Sequence, residues 1–143
     1  MSATVLYTPQ VLGLATGLAR WSWDDALALT GAARSRSCGS TLAIGLGLDP
    51  DGRIDRIGLR AQACAVGQAA AAIFAGTAAG RDAAQVAAAR DALAAWLAGE
   101  GAMPDWPGLE AIAPARDYPA RHGAIMLAWN AACEALFPGG GSR

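Results

Sequence analysis

The run Thr41-Leu42-Ala43-Ile44-Gly45-Leu46-Gly47-Leu48 places Leu42, Ile44, Leu46 and Leu48 on one side and small residues on the other. That is the period-two pattern of a half-buried β-strand. It ends in Asp49-Pro50-Asp51-Gly52, where proline pre-sets one backbone angle and glycine tolerates positive φ, so the chain must reverse. Ile54 to Ala61 returns as the next strand, and Ala26 to Ala33 supplies an earlier one. The three read as an antiparallel meander, with Gly45 and Gly47 weakening the central strand.

The flanks read as helices. Thr8-Pro9 is an N-cap followed by proline at the first helical position, and Val11, Leu12, Leu14, Ala15 and Leu18 continue at helical spacing to about residue 19. Residues 20–25, with Trp21 and Trp23, form a connection. Beyond Cys64 the pattern is helical again: 65–79, rich in alanine with Ile73 and Phe74 as its bulky residues, then 83–98 behind an Asp82 N-cap. A Gly/Pro loop covers 99–108, one helical turn is expected at 109–113, and Pro119 opens a last helix through Phe137. The order implies an α+β fold, a three-stranded antiparallel meander with an N-terminal helix and C-terminal helices packed on one face. Residues 1–138 are expected to form a single domain and 139–143 a frayed glycine tail.

Composition narrows the function classes. A chain of 143 residues buries roughly 70% of its unfolded surface and needs no staple. Apolar residues make up 54%, yet no uninterrupted apolar stretch is long enough for a membrane span. The start Met1-Ser2-Ala3-Thr4 lacks the features of a signal peptide, and a cytoplasmic address is expected. Net charge is −1, there is no lysine, and Arg20, Arg34 and Arg36 form only a loose cluster without interleaved aromatics, which argues against nucleic acid. With a single histidine, no paired carboxylates and no phosphate loop, no catalytic constellation can be assembled, so the chain is not expected to be an enzyme.

The cysteines carry the chemistry. Cys38 sits between the first two strands, beside Gly39, and Cys64 sits where the third strand gives way to a helix. A helix N-terminus presents unpaired N–H groups and positive partial charge, which favours thiolate, the form that binds metal or attacks sulfur. The start of strand two and the end of antiparallel strand three share one end of the sheet, so the two thiols are expected to meet there.

Five stretches, in order along nearly the whole chain, resemble the IscU/NifU-type iron–sulfur scaffolds and their SufU relatives. They are Tyr7-Thr8-Pro9-Gln10-Val11-Leu12, Cys38-Gly39-Ser40, Asp51-Gly52-Arg53-Ile54, Ala63-Cys64-Ala65-Val66-Gly67 to Ala72, and Tyr118 through Trp129. The resemblance implies a cluster-binding site in which Cys38 and Cys64 match the first two ligand cysteines. Ser40 stands at the position of the family's aspartate, and Ala124 at that of its third cysteine. His122, two residues before Ala124, lies near the family's histidine and is a candidate third ligand; Ser40 is a more distant one. Cys133, nine residues past Ala124 on the same helix, faces the other side about 13 Å further along and is expected to be a packed core thiol.

The resemblance implies an iron–sulfur cluster or iron as cargo, with zinc as a further possibility. It implies a cysteine desulfurase and apo iron–sulfur client proteins as partners. Two protein thiolates fall short of the roughly four ligands these clusters take, so two other readings stand beside the scaffold: a SufE-like sulfur acceptor, or a degenerate domain that only binds partners.

Overall fold

The computed structural model describes residues 6–36 and 39–138; the expected tail at 139–143 lies outside them. Strands β1 (Leu29–Arg34), β2 (Thr41–Leu48) and β3 (Ile54–Gln62) form one antiparallel sheet in the order β1-β2-β3. The meander is thus as the alternation requires. β1 begins at Leu29 rather than Ala26 because the preceding residues are held in a turn: Asp24 Oδ1 accepts from Ala26 N at 2.9 Å and Asp24 O from Leu27 N at 3.2 Å. Between β2 and β3, Asp49 Oδ1 accepts from the amides of Asp51 and Arg53, both at 2.9 Å, and Gly52 takes the positive φ of 82°.

The register pairs Ile44 with Gly31 on one side and Leu59 on the other. Leu42, Ile44, Leu46 and Leu59 therefore share the buried face. The glycines that weaken the strand pattern have a tertiary reason. A Cβ on Gly58, across from Gly45, would lie 2.9 Å from Ser22 O and 3.0 Å from Asp24 N, and one on Gly45 would lie 3.2 Å from Leu27 Cβ. The segment 22–27 crosses the outer face of the sheet there, and only glycine lets its backbone come so close.

Helix α1 (Pro9–Gly17) is capped by Thr8 Oγ1, which accepts from Val11 N at 3.1 Å, and it tightens into a 3-10 turn at Leu18–Trp21. Helices α2 (Ala65–Thr77) and α3 (Ala83–Leu97) follow β3, and α3 opens on a reciprocal Asp82–Gln85 capping box. The expected single turn after the Gly/Pro loop is longer, a 3-10 stretch at Leu109–Asp117. Pro114 within it lacks a donor and would clash with the carbonyl four residues back, so a full α-helix cannot run through. Pro119–Arg121 is a second 3-10 turn, and α4 (His122–Leu136) begins only after it.

Helix α4 lies on β1 and β2, with α2 and α3 packed against it and α1 against α2. At the centre Trp129 meets Phe74 and Trp106 edge-on, both at 5.4 Å between ring centroids, while Phe74 and Trp106 stack at 5.3 Å. Each such pair adds about 0.5–1.5 kcal/mol beyond its buried area. Trp106 Nε1 donates to Ile73 O at 3.1 Å, so the indole enters the core with its polar atom satisfied. The closest approach is at Gly31, where an added Cβ would run into Ala131 O and lie 2.8 Å from Ala135 N.

Gly31→Ala is therefore expected to cost about 2–3 kcal/mol, in the overpacking range. Gly13→Ala, in α1 with open space around its Cβ position, should instead stabilise by up to about 1 kcal/mol. Urea unfolding midpoints at unchanged m-value test both.

Candidate functional site

β2 begins and β3 ends at one end of the sheet, where Thr41 pairs with both Arg34 and Gln62. Two residues past β3, Cys64 is the N-cap of α2, with extended backbone angles of φ −65° and ψ 168°. Its carbonyl accepts from Gln68 N at 2.9 Å, but its sulfur makes no capping hydrogen bond. The thiol is half-buried and free. It sits where the unpaired amides of the first helical turn converge.

The β1–β2 turn arrives at the same end. Ser35 N donates to Ser40 O at 2.8 Å and Gly39 N to Ser35 O at 2.9 Å, with Gly39 at φ +71°. Ser35 and Ser40 are both buried. Cys38, the residue before Gly39 in sequence, lies outside the described residues. Its meeting with Cys64 remains an expectation.

The start of α4 closes the third side. Any side chain on Gly123 would run into Ser35 Oγ, and a Cβ on Gly67, in the first turn of α2, would lie 3.1 Å from Ala124 Cβ and 3.0 Å from Ala63 Cβ. Small residues thus lock the β1–β2 turn, the head of α2 and the head of α4 together. Ala124 is completely buried in that lock.

His122 is partly buried, and its Nε2 lies 2.7 Å from the carbonyl oxygen of Arg116. A carbonyl can only accept, so Nε2 carries a proton, and in the neutral ring the lone pair is on Nδ1. Arg121, one residue earlier, donates from Nη2 to Tyr7 Oη at 3.2 Å. Arg121 Nε and Tyr118 Oη are buried with no hydrogen-bond partner among the described residues. Sequence reading passed over Tyr7, Arg116, Tyr118 and Arg121 as site components. Tyr7 stands in one of the stretches that resemble the iron–sulfur scaffolds and Tyr118 and Arg121 in another, but a contact from residue 121 back to residue 7 leaves no local pattern.

Among the described residues no group of three or more His, Cys, Asp or Glu side chains comes together. Cys133 is in the core on α4, 1% exposed. Burial pushes its thiol up, with the guanidinium of Arg90 pulling partly the other way. It is the packed thiol expected of it. Iodoacetamide at pH 8 followed by peptide mass mapping should therefore label Cys64 in the native protein and Cys133 only after denaturation. Equal labelling of the two would contradict the core placement.

No protein-family model and no curated protein matches the chain. Solved structures do. A nitrogen-fixing NifU-like protein (N-terminal) from Brucella abortus is 29% identical, with a TM-score of 0.82 and 93% of each chain covered. A candidate iron–sulfur cluster assembly scaffold protein for the SUF system of thermophilic Fervidobacterium islandicum AW-1 is 15% identical, with a TM-score of 0.83, covering 95% of this chain and 100% of that one. At that identity the second likeness is one of fold alone. Over nearly its whole length, then, the chain shares its α+β fold with a NifU-like protein and a SUF-system scaffold.

Proposed function

We propose that the chain is a scaffold-type protein of iron–sulfur assembly that holds an iron–sulfur cluster or iron as cargo. Cys38 and Cys64 supply thiolates and His122 a third donor. The observation that carries this reading is the Cys64 thiol: half-buried, free of any capping bond and seated at the head of α2. The fold that presents it is shared with proteins described as a NifU-like protein and a SUF-system scaffold.

The bond from His122 to the Arg116 carbonyl supports a ligand role. Metal-binding histidines usually donate their other ring N–H to a carbonyl or carboxylate, which fixes tautomer and ring orientation. Nδ1 would then be the ligating atom. The guanidinium of Arg121, its Nε without a partner among the described residues, supplies a positive charge at the head of α4 to offset thiolates. Ala124 occupies the position read as the family's third cysteine, and its burial against Gly67 leaves no donor there. Cluster types of this class take about four ligands, so the shell is completed by an exogenous thiol or a partner's side chain. A cysteine desulfurase as sulfur source, apo iron–sulfur proteins as recipients and a cytoplasmic setting go with the reading. The described residues contain no helix long and apolar enough to cross a membrane.

A second reading uses the same thiol without metal. It draws on the free, half-buried Cys64 thiol at the head of α2, which needs no further donor to accept sulfur. In it the Cys64 thiolate attacks the outer sulfur of a donor persulfide; the new S–S bond forms at Cys64 as the donor cysteine leaves as thiolate.

Iron, zinc and acid-labile sulfide in anaerobically purified protein separate the two. The scaffold reading expects iron and sulfide in the wild type, their loss in Cys64→Ala, and metal affinity lowered at least about tenfold in His122→Ala. Metal-free wild type that gains a persulfide on Cys64 from a desulfurase would establish the relay instead. Bound metal unchanged in Cys64→Ala would overturn both.

A further inference from the structure

The two edges of the sheet are treated differently. The β3 edge is covered: Ile54 N donates to Arg81 O at 2.9 Å, Gly80 N to Ile54 O at 2.8 Å, and Ser22 forms a parallel bridge with Leu59. Along β1 no strand is added among the described residues. The register pairs Gly31 with Ile44 and Ala33 with Leu42, and Ser35 N donates inward to Ser40 O. Backbone polar groups alternate in direction along a strand, so those of Thr30, Ala32 and Arg34 point outward. One of these outward amides is taken: Ala32 N donates to Glu134 Oε1 at 2.8 Å, across 102 positions of sequence. Both residues are exposed, and the only ion pair among the described residues, Arg90 with Asp91, does not involve Glu134.

We propose that Glu134 is a stopper on the β1 edge, and that the strand it keeps away is β1 of a second copy of this chain. The edge is self-complementary. A two-fold antiparallel pairing centred on Ala32 sets Ala32 against Ala32, Thr30 against Arg34 and Gly31 against Ala33. No like charges are opposed, no proline interrupts the run, and the side chains at the centre are small, so nothing in β1 itself repels a twin. An incoming strand must place a carbonyl where Glu134 Oε1 now sits. The carboxylate occupies that donor and repels the carbonyl by its charge, which is how an edge is blunted. Glu134 reaches the edge because α4 lies so close over Gly31.

Sedimentation equilibrium over a range of concentrations, with hydrogen exchange read at the Ala32 amide, tests this. Glu134→Ala is expected to self-associate at least about tenfold more tightly than the wild type, with its Ala32 amide fast-exchanging when dilute and protected when concentrated. Glu134→Gln, which keeps the accepting oxygen, should stay nearer the wild type. Adding Ala32→Arg to Glu134→Ala places two like charges face to face at the centre of the pairing and should reverse the association. Ala32 is exposed, so that change leaves the fold alone. Equal association of Glu134→Ala and wild type would overturn the proposal, as would association that Ala32→Arg leaves untouched.

Discussion

The structure hinges on how closely α4 lies over β1. Gly31 has no side chain, and the backbone of Ala131 and Ala135 fills the space where one would be. Along α4, Ala124, Ala128, Ala131, Ala132 and Ala135 are all buried, so the helix reaches the sheet at almost backbone distance. Dispersion contacts are lost steeply with any gap, and a single methyl on Gly31 would lift the helix off. The orientation of α4 in turn sets everything at its two ends. Its head carries Gly123 against Ser35 and Ala124 against Gly67, and its tail brings Glu134 to the edge of β1.

The candidate site groups lie where three chain reversals converge. The turn from β1 to β2, the step from β3 into α2 and the 3-10 turn before α4 all end at one end of the sheet. Each exposes backbone polar groups that secondary structure does not use, and these position the side chains nearby. Arg116 offers its carbonyl to His122 from the end of a 3-10 stretch that Pro114 keeps from becoming an α-helix. Only a helix running on unbroken into α4 would have spent that carbonyl on its own ladder. The aromatic cluster of Phe74, Trp106 and Trp129 braces α2 against α4 further along the same two helices. The small-residue lock at their heads can then be tight without carrying the whole interface.

Much of this was open to reading from residues alone. The strand from Thr41 to Leu48 has the same bounds in the sequence pattern and in the structure, because alternation of leucines with small residues permits no other period. Asp82 and Thr8 cap as their chemistry directs. Cys64 stands at the head of a helix because Gln62-Ala63-Cys64 separates a two-residue period from a helical one. Gly45 is less transparent. It looks like a strand weakener until the segment 22–27 is seen passing over it and its partner Gly58, a contact with no local signature. Cys38, the other half of the expected thiol pair, falls outside the described residues.

Sequence by itself determined the elements, the antiparallel meander and the placement of a thiol at a strand-to-helix junction. These depend on periodicity, caps and turn residues, which act within a few positions. Tertiary structure decided which nitrogen of His122 donates to a carbonyl, that Arg121 reaches Tyr7, that Ala124 is sealed by Gly67, and that Glu134 guards Ala32. Each of these joins groups that packing alone brings together. The approach of α4 to the sheet, set by missing side chains rather than by any present one, leaves no periodicity to read.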